Sequence, residues 1–134
     1  MRHMEDKPKL LVVDDEEIAL ENLAYVLNKE GYDVVCLRSG SAALERLKHE
    51  EFDVVVTDLR MPKVDGMEII KKCRAWHPNT QLIMITGYPM ECSDEDATTE
   101  AAYHLIEKPF RLDDVRRAVA EAIKIYRLRK SIRT

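Results

Sequence analysis

The chain has 134 residues, 46% hydrophobic and 34% charged, with 21 Lys/Arg against 25 Asp/Glu for a net charge of −4. That length suits one domain with its own core and excludes a two-lobed enzyme with separate cofactor and substrate domains. Residues 111–134 hold eight bases and three acids while residues 1–110 hold thirteen and twenty-two, so the body repels phosphate backbones and no direct nucleic-acid binding is expected.

The longest uninterrupted aliphatic runs hold four residues, far short of the roughly 18 that suggest a membrane span. Residues 1–9 are charged and lack the apolar stretch of a secretion signal. Cys36, Cys73 and Cys92 are odd in number and far apart, which fits neither a disulfide framework nor a zinc cluster. The expectation is a cytoplasmic protein with reduced thiols and no membrane contact.

In chain order, the apolar run at residues 10–13 reads as a strand and leads into Asp14 and Asp15. Leu20, Leu23, Ala24 and Leu27 follow at helical spacing, stopped by Gly31. A second run at 34–37 precedes Gly40 and Ser41, which open a helical segment carrying Ala43, Leu44 and Leu47. The third run, 54–56, leads through Thr57 to Asp58, and Pro62 with Gly66 turns the chain into a helix carrying Ile69, Ile70 and Cys73. Trp76 and Pro78-Asn79 close it. The fourth run, 82–85, ends at Thr86. The fifth, Leu105-Ile106, leads through Glu107 to Lys108 and then to the clearest helical stripe: Leu112, Val115, Val119, Ala122, Ile123 and Tyr126.

The runs start 24, 20, 28 and 23 residues apart, too far for hairpins and right for a strand, a helix and two loops. The pattern predicts βαβαβαβαβα, a doubly wound α/β fold around a parallel sheet. In such a sheet all C-terminal strand ends share one edge, where open α/β sheets bind ligands. Asp14, Asp15, Asp58, Thr86 and Lys108 therefore converge, although they span 94 positions.

Singly, these residues have bland readings: Asp14-Asp15 as a helix N-cap, Asp58 as a loop acid, Lys108 as a solvated charge. Together they read as a site. Three crowded carboxylates raise one another's pKa, and a divalent cation relieves that. An all-oxygen donor set favours Mg²⁺, with Mn²⁺ as a substitute. A carboxylate can itself accept a phosphoryl group as an acyl phosphate, with Lys108 and the Thr86 hydroxyl serving its oxygens. His3, His49, His77 and His104 show no metal-ligand spacing and are assigned no chemistry.

The stretches LLVVDDE (10–16), VVVTDLRMPKVDG (54–66), IMITGY (83–88) and IEKPF (106–110) together resemble the receiver domain of two-component response regulators. The resemblance covers residues 9–127, with 1–8 as an N-terminal extension and 128–134 as a tail or a truncated linker. It implies a flavodoxin-like (βα)5 fold with strand order 2-1-3-4-5 and a phosphoacceptor switch rather than an enzyme, with self-hydrolysis the only turnover. Asp58 would accept the phosphoryl group from a sensor histidine kinase or a histidine phosphotransfer protein. Mg²⁺ would bind to Asp15, Asp58 and the backbone carbonyl of Arg60, and to Asp14 through water. Thr86 and Lys108 would sense the phosphoryl group, Lys108-Pro109 would be cis, and Arg60 and Tyr88 would modulate water access.

Two departures bear on output. Leu105 stands where the family usually has an aromatic residue. Residues 91–100, ECSDEDATTE, carry five acids, no base and no apolar stripe, so a fourth helix there is expected to be short, displaced or mobile. That acidic segment, the fifth strand and the basic last helix form the expected surface for a homodimer or an output partner. The TGY and RMPKVDG stretches resemble receivers joined to ATPase-type transcription activators, so transcriptional regulation through a further domain is the expected output. The alternative is a receiver-like interaction module that works without phosphorylation.

Overall fold

The computed structural model describes residues 6–87 and 103–133. A strand covered by helices on both faces is buried along its length, and β3 (Val54–Asp58) has all five residues buried, apolar from Val54 to Val56 and polar only at its Thr57-Asp58 end. It lies at the centre of a five-stranded sheet in the order β2-β1-β3-β4-β5. The others are β1 (Lys9–Val13), β2 (Asp33–Leu37), β4 (Gln81–Thr86) and β5 (His104–Glu107). Every neighbouring pair is parallel, as the spacing of the apolar runs predicts.

Alternation along each strand divides the core between the two faces. Leu10 and Val12 of β1 pack with Val54, Val56, Ile83 and Ile85 under α1 (Glu17–Lys29) and the C-terminal helix α4 (Leu112–Arg133). Leu11 and Val13 pack with Val55, Leu82 and Met84 under α2 (Gly40–His49) and α3 (Gly66–Trp76). Each helix contributes the stripe its sequence spacing predicts, except that Leu112, the first member of the α4 stripe, is exposed. Cys36 lies in β2 and Cys73 is buried in α3.

The helix starts are built locally. The Ser39 hydroxyl accepts from the Ala42 N–H at 3.0 Å to cap α2, and the Asp65 carboxylate accepts from the Glu68 N–H at 3.0 Å to cap α3. After α1 the chain reverses through Gly31 at φ +88°, whose N–H donates to Asn28 O at 3.0 Å. No described helix is long and apolar enough to cross a membrane.

At the edge holding the N-terminal ends of the strands, α4 is fastened to the body. The Tyr126 hydroxyl donates to Glu51 at 2.8 Å and Lys130 Nζ to the same carboxylate at 3.4 Å. Arg127 donates to the buried Asp53 at 3.3 Å and to Asp6 O at 2.8 Å. The helix runs on past residue 127 to Arg133, through residues read from the sequence as a tail or a truncated linker. The predicted fourth helix at 91–100 lies outside the described residues.

Candidate functional site

Sheet register brings the site together. Val13 pairs with Thr57, Asp58 with Ile85, and Thr86 with Glu107. The residues that end or follow four strands therefore stand side by side at the C-terminal edge, flanking the point between β1 and β3 where the chain reverses its strand order. Backbone bonds brace the edge: Leu59 N–H to Ile85 O at 3.0 Å, Lys108 N–H to Thr86 O at 2.7 Å, and Asp14 N–H to Leu37 O at 3.2 Å.

Carboxylate oxygens of Asp14, Asp15 and Asp58 all lie within 4.8 Å of one another. Asp14 is 4% and Asp58 8% exposed, while Asp15 is half-buried. Burial, the largest cause, pushes the Asp58 carboxyl above its ordinary range, and the Lys108 ammonium opposes it. Burial likewise raises Asp14, opposed by the hydrogen bond its carboxylate accepts from the Glu16 N–H and reinforced by the Asp58 charge. Lys108 Nζ reaches Asp58 Oδ1 at 3.2 Å. Thr86 is buried at the end of β4, and the Lys108-Pro109 peptide is cis.

The helix-cap reading of the acidic pair is partly realised. Glu16 occupies the N-cap position of α1 with no side-chain cap bond, and Asp14 reaches forward to its N–H. Asp15 is left to face the other carboxylates. Gly66 serves the site more directly than a turn signal suggests. A Cβ on it would lie 2.3 Å from Asp58 O and 3.0 Å from the Leu59 Cα, so only glycine lets α3 start this close to the acidic residue.

Arg60 follows two residues after Asp58 in the exposed β3–α3 loop, which turns at Lys63 (φ 69°) with Val64 N–H donating to Pro62 O at 2.8 Å. Leu105 pairs with Met84 and is part-exposed on β5. Tyr88 and Cys92 lie outside the described residues. Sequence reasoning missed Arg38, whose Nη2 donates to Asp15 O at 3.2 Å; a lone arginine after a strand carries no motif that would have marked it.

The response regulator receiver domain family matches residues 10–120. The chain belongs to that family. As a receiver it is 30% identical over 125 residues to the regulatory protein AtoC of Escherichia coli, covering 93% of this chain and 27% of that protein. It is 33% identical over 118 residues to sporulation initiation phosphotransferase F of Bacillus subtilis, covering 87% of this chain and 94% of that one. Among solved structures, the response regulator TrrA of Thermotoga maritima, in complex with Mg²⁺–BeF, superimposes with a TM-score of 0.77 at 30% identity, covering 86% of this receiver and 98% of that chain. The receiver thus spans about a quarter of AtoC's length and most of the phosphotransferase's.

Proposed function

We propose that this receiver is a Mg²⁺-dependent phosphoacceptor switch in which Asp58 takes a phosphoryl group from a phosphohistidine on a sensor kinase or a phosphotransfer protein. The observation that carries the reading is the set of three carboxylates within 4.8 Å, two of them buried, with Lys108 at 3.2 Å from Asp58. An oxygen-only, triply acidic pocket fits a hard divalent cation and no soft metal. Asp15, Asp58 and the Arg60 carbonyl would hold Mg²⁺ directly and Asp14 through water, and the ion would supply charge neutralisation for the incoming phosphoryl oxygens.

Asp58 is the nucleophile. Its carboxylate oxygen forms the new O–P bond as the donor's N–P bond breaks, and the departing imidazole nitrogen keeps the electron pair. Lys108 then exchanges its Asp58 contact for a phosphoryl oxygen, and the Thr86 hydroxyl turns to another. No separate substrate is turned over; water attacks the acyl phosphate, restoring the Asp58 carboxylate and releasing inorganic phosphate. β5, α4 and the segment between β4 and β5 carry the change to a second copy or an output partner by population shift. In a longer cytoplasmic chain, that output is transcriptional regulation through a further domain.

The test is labelling with ³²P-acetyl phosphate in Mg²⁺. Wild type should label in an acid-labile, hydroxylamine-sensitive linkage, and Asp58→Asn should not. Equal labelling of both would discard Asp58 as acceptor. Absence of labelling together with absence of Mg²⁺–fluoroberyllate binding would favour a module that works without phosphorylation.

A further inference from the structure

The turn between β1 and α1 carries both Asp14 and Asp15, and its described tethers divide unevenly. Asp14 is fixed twice, by its N–H to Leu37 O at 3.2 Å and by its carboxylate at 2.9 Å from the Glu16 N. The main chain of Asp15 has one partner among the described residues, the guanidinium of Arg38. Arg38 follows β2, so it reaches the turn from the neighbouring strand's end. Its Nη2 donates to Asp15 O at 3.2 Å while Nη1 stands 3.7 Å from Glu17 Oε1, in the first turn of α1. One planar fork thereby bridges the acidic turn and the helix that follows it, a span that a fork of rigidly arranged donors can fill.

We propose that Arg38 is a positioning residue that holds the Asp15 peptide so that the Asp15 carboxylate is aimed into the pocket before a cation arrives. This rests on the reading of Asp14, Asp15 and Asp58 as a Mg²⁺ site. Charge and brace make opposite demands. A cation on the rim repels Mg²⁺, so loss of the charge alone tightens binding, whereas loss of the brace loosens it. Arg38 is exposed, so at physiological salt its charge is largely screened and the brace dominates.

Mg²⁺ affinity is measured by calorimetry at 0.15 M salt for wild type, Arg38→Ala, Arg38→Lys and Asp15→Asn, and amide exchange of Glu16 and Glu17 is followed in Mg²⁺-free protein. Arg38→Ala should weaken Mg²⁺ binding about fivefold, the scale of one lost hydrogen bond, and should speed exchange at both amides without metal. Arg38→Lys retains a donor for the carbonyl and should stay within twofold of wild type. Unchanged or tighter binding in Arg38→Ala, unchanged exchange, or a lysine variant as weak as alanine overturns the role of Arg38 and leaves the site reading intact. A wild type that binds no Mg²⁺, or an Asp15→Asn variant that binds it as well, overturns both.

Discussion

Neutralising Asp14 should stabilise the metal-free protein, although it removes a residue of the site. Its carboxylate oxygen lies within 4.8 Å of those of Asp15 and Asp58, and two unit charges at that separation repel by about 3.5 kcal/mol at an effective dielectric of about 20. Asp14→Asn removes two such repulsions and keeps an oxygen to accept the Glu16 N–H. Against this stand the attraction of Lys108, the greater strength of a hydrogen bond to a charged acceptor, and screening around the half-exposed Asp15. A net gain of about 2 kcal/mol remains. Burial raises the Asp14 and Asp58 carboxyls above their ordinary range, so the fold holds these protons more tightly than the unfolded chain does. Their stabilising contribution is whole below the ordinary carboxylate range and is lost as pH rises through the raised values.

The advantage of Asp14→Asn should therefore be near zero in acid and full at neutral pH, as read from urea unfolding in EDTA at both. Mg²⁺ at a hundred times its dissociation constant adds about 2.7 kcal/mol to wild type and less to the variant, so the gap narrows or reverses. A variant less stable than wild type in EDTA at neutral pH, or a difference independent of pH, would refute the reasoning.

Gly66→Ala places a Cβ 2.3 Å from Asp58 O; it should cost about 1–3 kcal/mol in urea unfolding and slow Asp58 labelling, because the shift falls on the acceptor's own peptide. Tyr126→Phe deletes the 2.8 Å bond to Glu51 and should cost about 1 kcal/mol, with labelling unaltered. Cys73 is fully buried and its thiol is pushed up to about 12 by burial, so Ellman's reagent should leave it untouched in the native protein and modify it only on unfolding.

What the sequence disclosed follows from how locally each feature is written. Apolar runs such as 54–56 mark buried strands because both faces are covered, and their spacing fixes a parallel sheet. Once the sheet is parallel, Asp14, Asp58, Thr86 and Lys108 must share an edge, so their meeting was legible without coordinates. Gly66 read only as turn punctuation; its closeness to Asp58 O depends on how α3 approaches β3. Glu51, Asp53 and Arg127 belong to no motif, and Tyr126 read only as the last member of an apolar helical stripe. Their partners lie 74 and 75 positions away, and no periodicity connects residues at that distance. Arg38 was illegible for a different reason: its acceptor is a carbonyl, which every residue possesses.

The fastening of α4 has a mechanical consequence. At its start, Arg111 N–H donates to Asp114 Oδ2 at 3.1 Å and Asp114 N–H to Arg111 O at 2.9 Å, three residues after Lys108. At the opposite rim Tyr126, Arg127 and Lys130 grip Glu51 and Asp53. A 22-residue helix is about 33 Å long; capped at its start, packed on the core along its length and gripped at its far end, it behaves as a strut. Bending its middle would pull Val115, Val119 and Ile123 out of the core. A displacement that begins at Lys108 would therefore reach the far end as a tilt of the whole rod. Because the far end is gripped, Leu112, exposed at the near end, would swing through the widest arc.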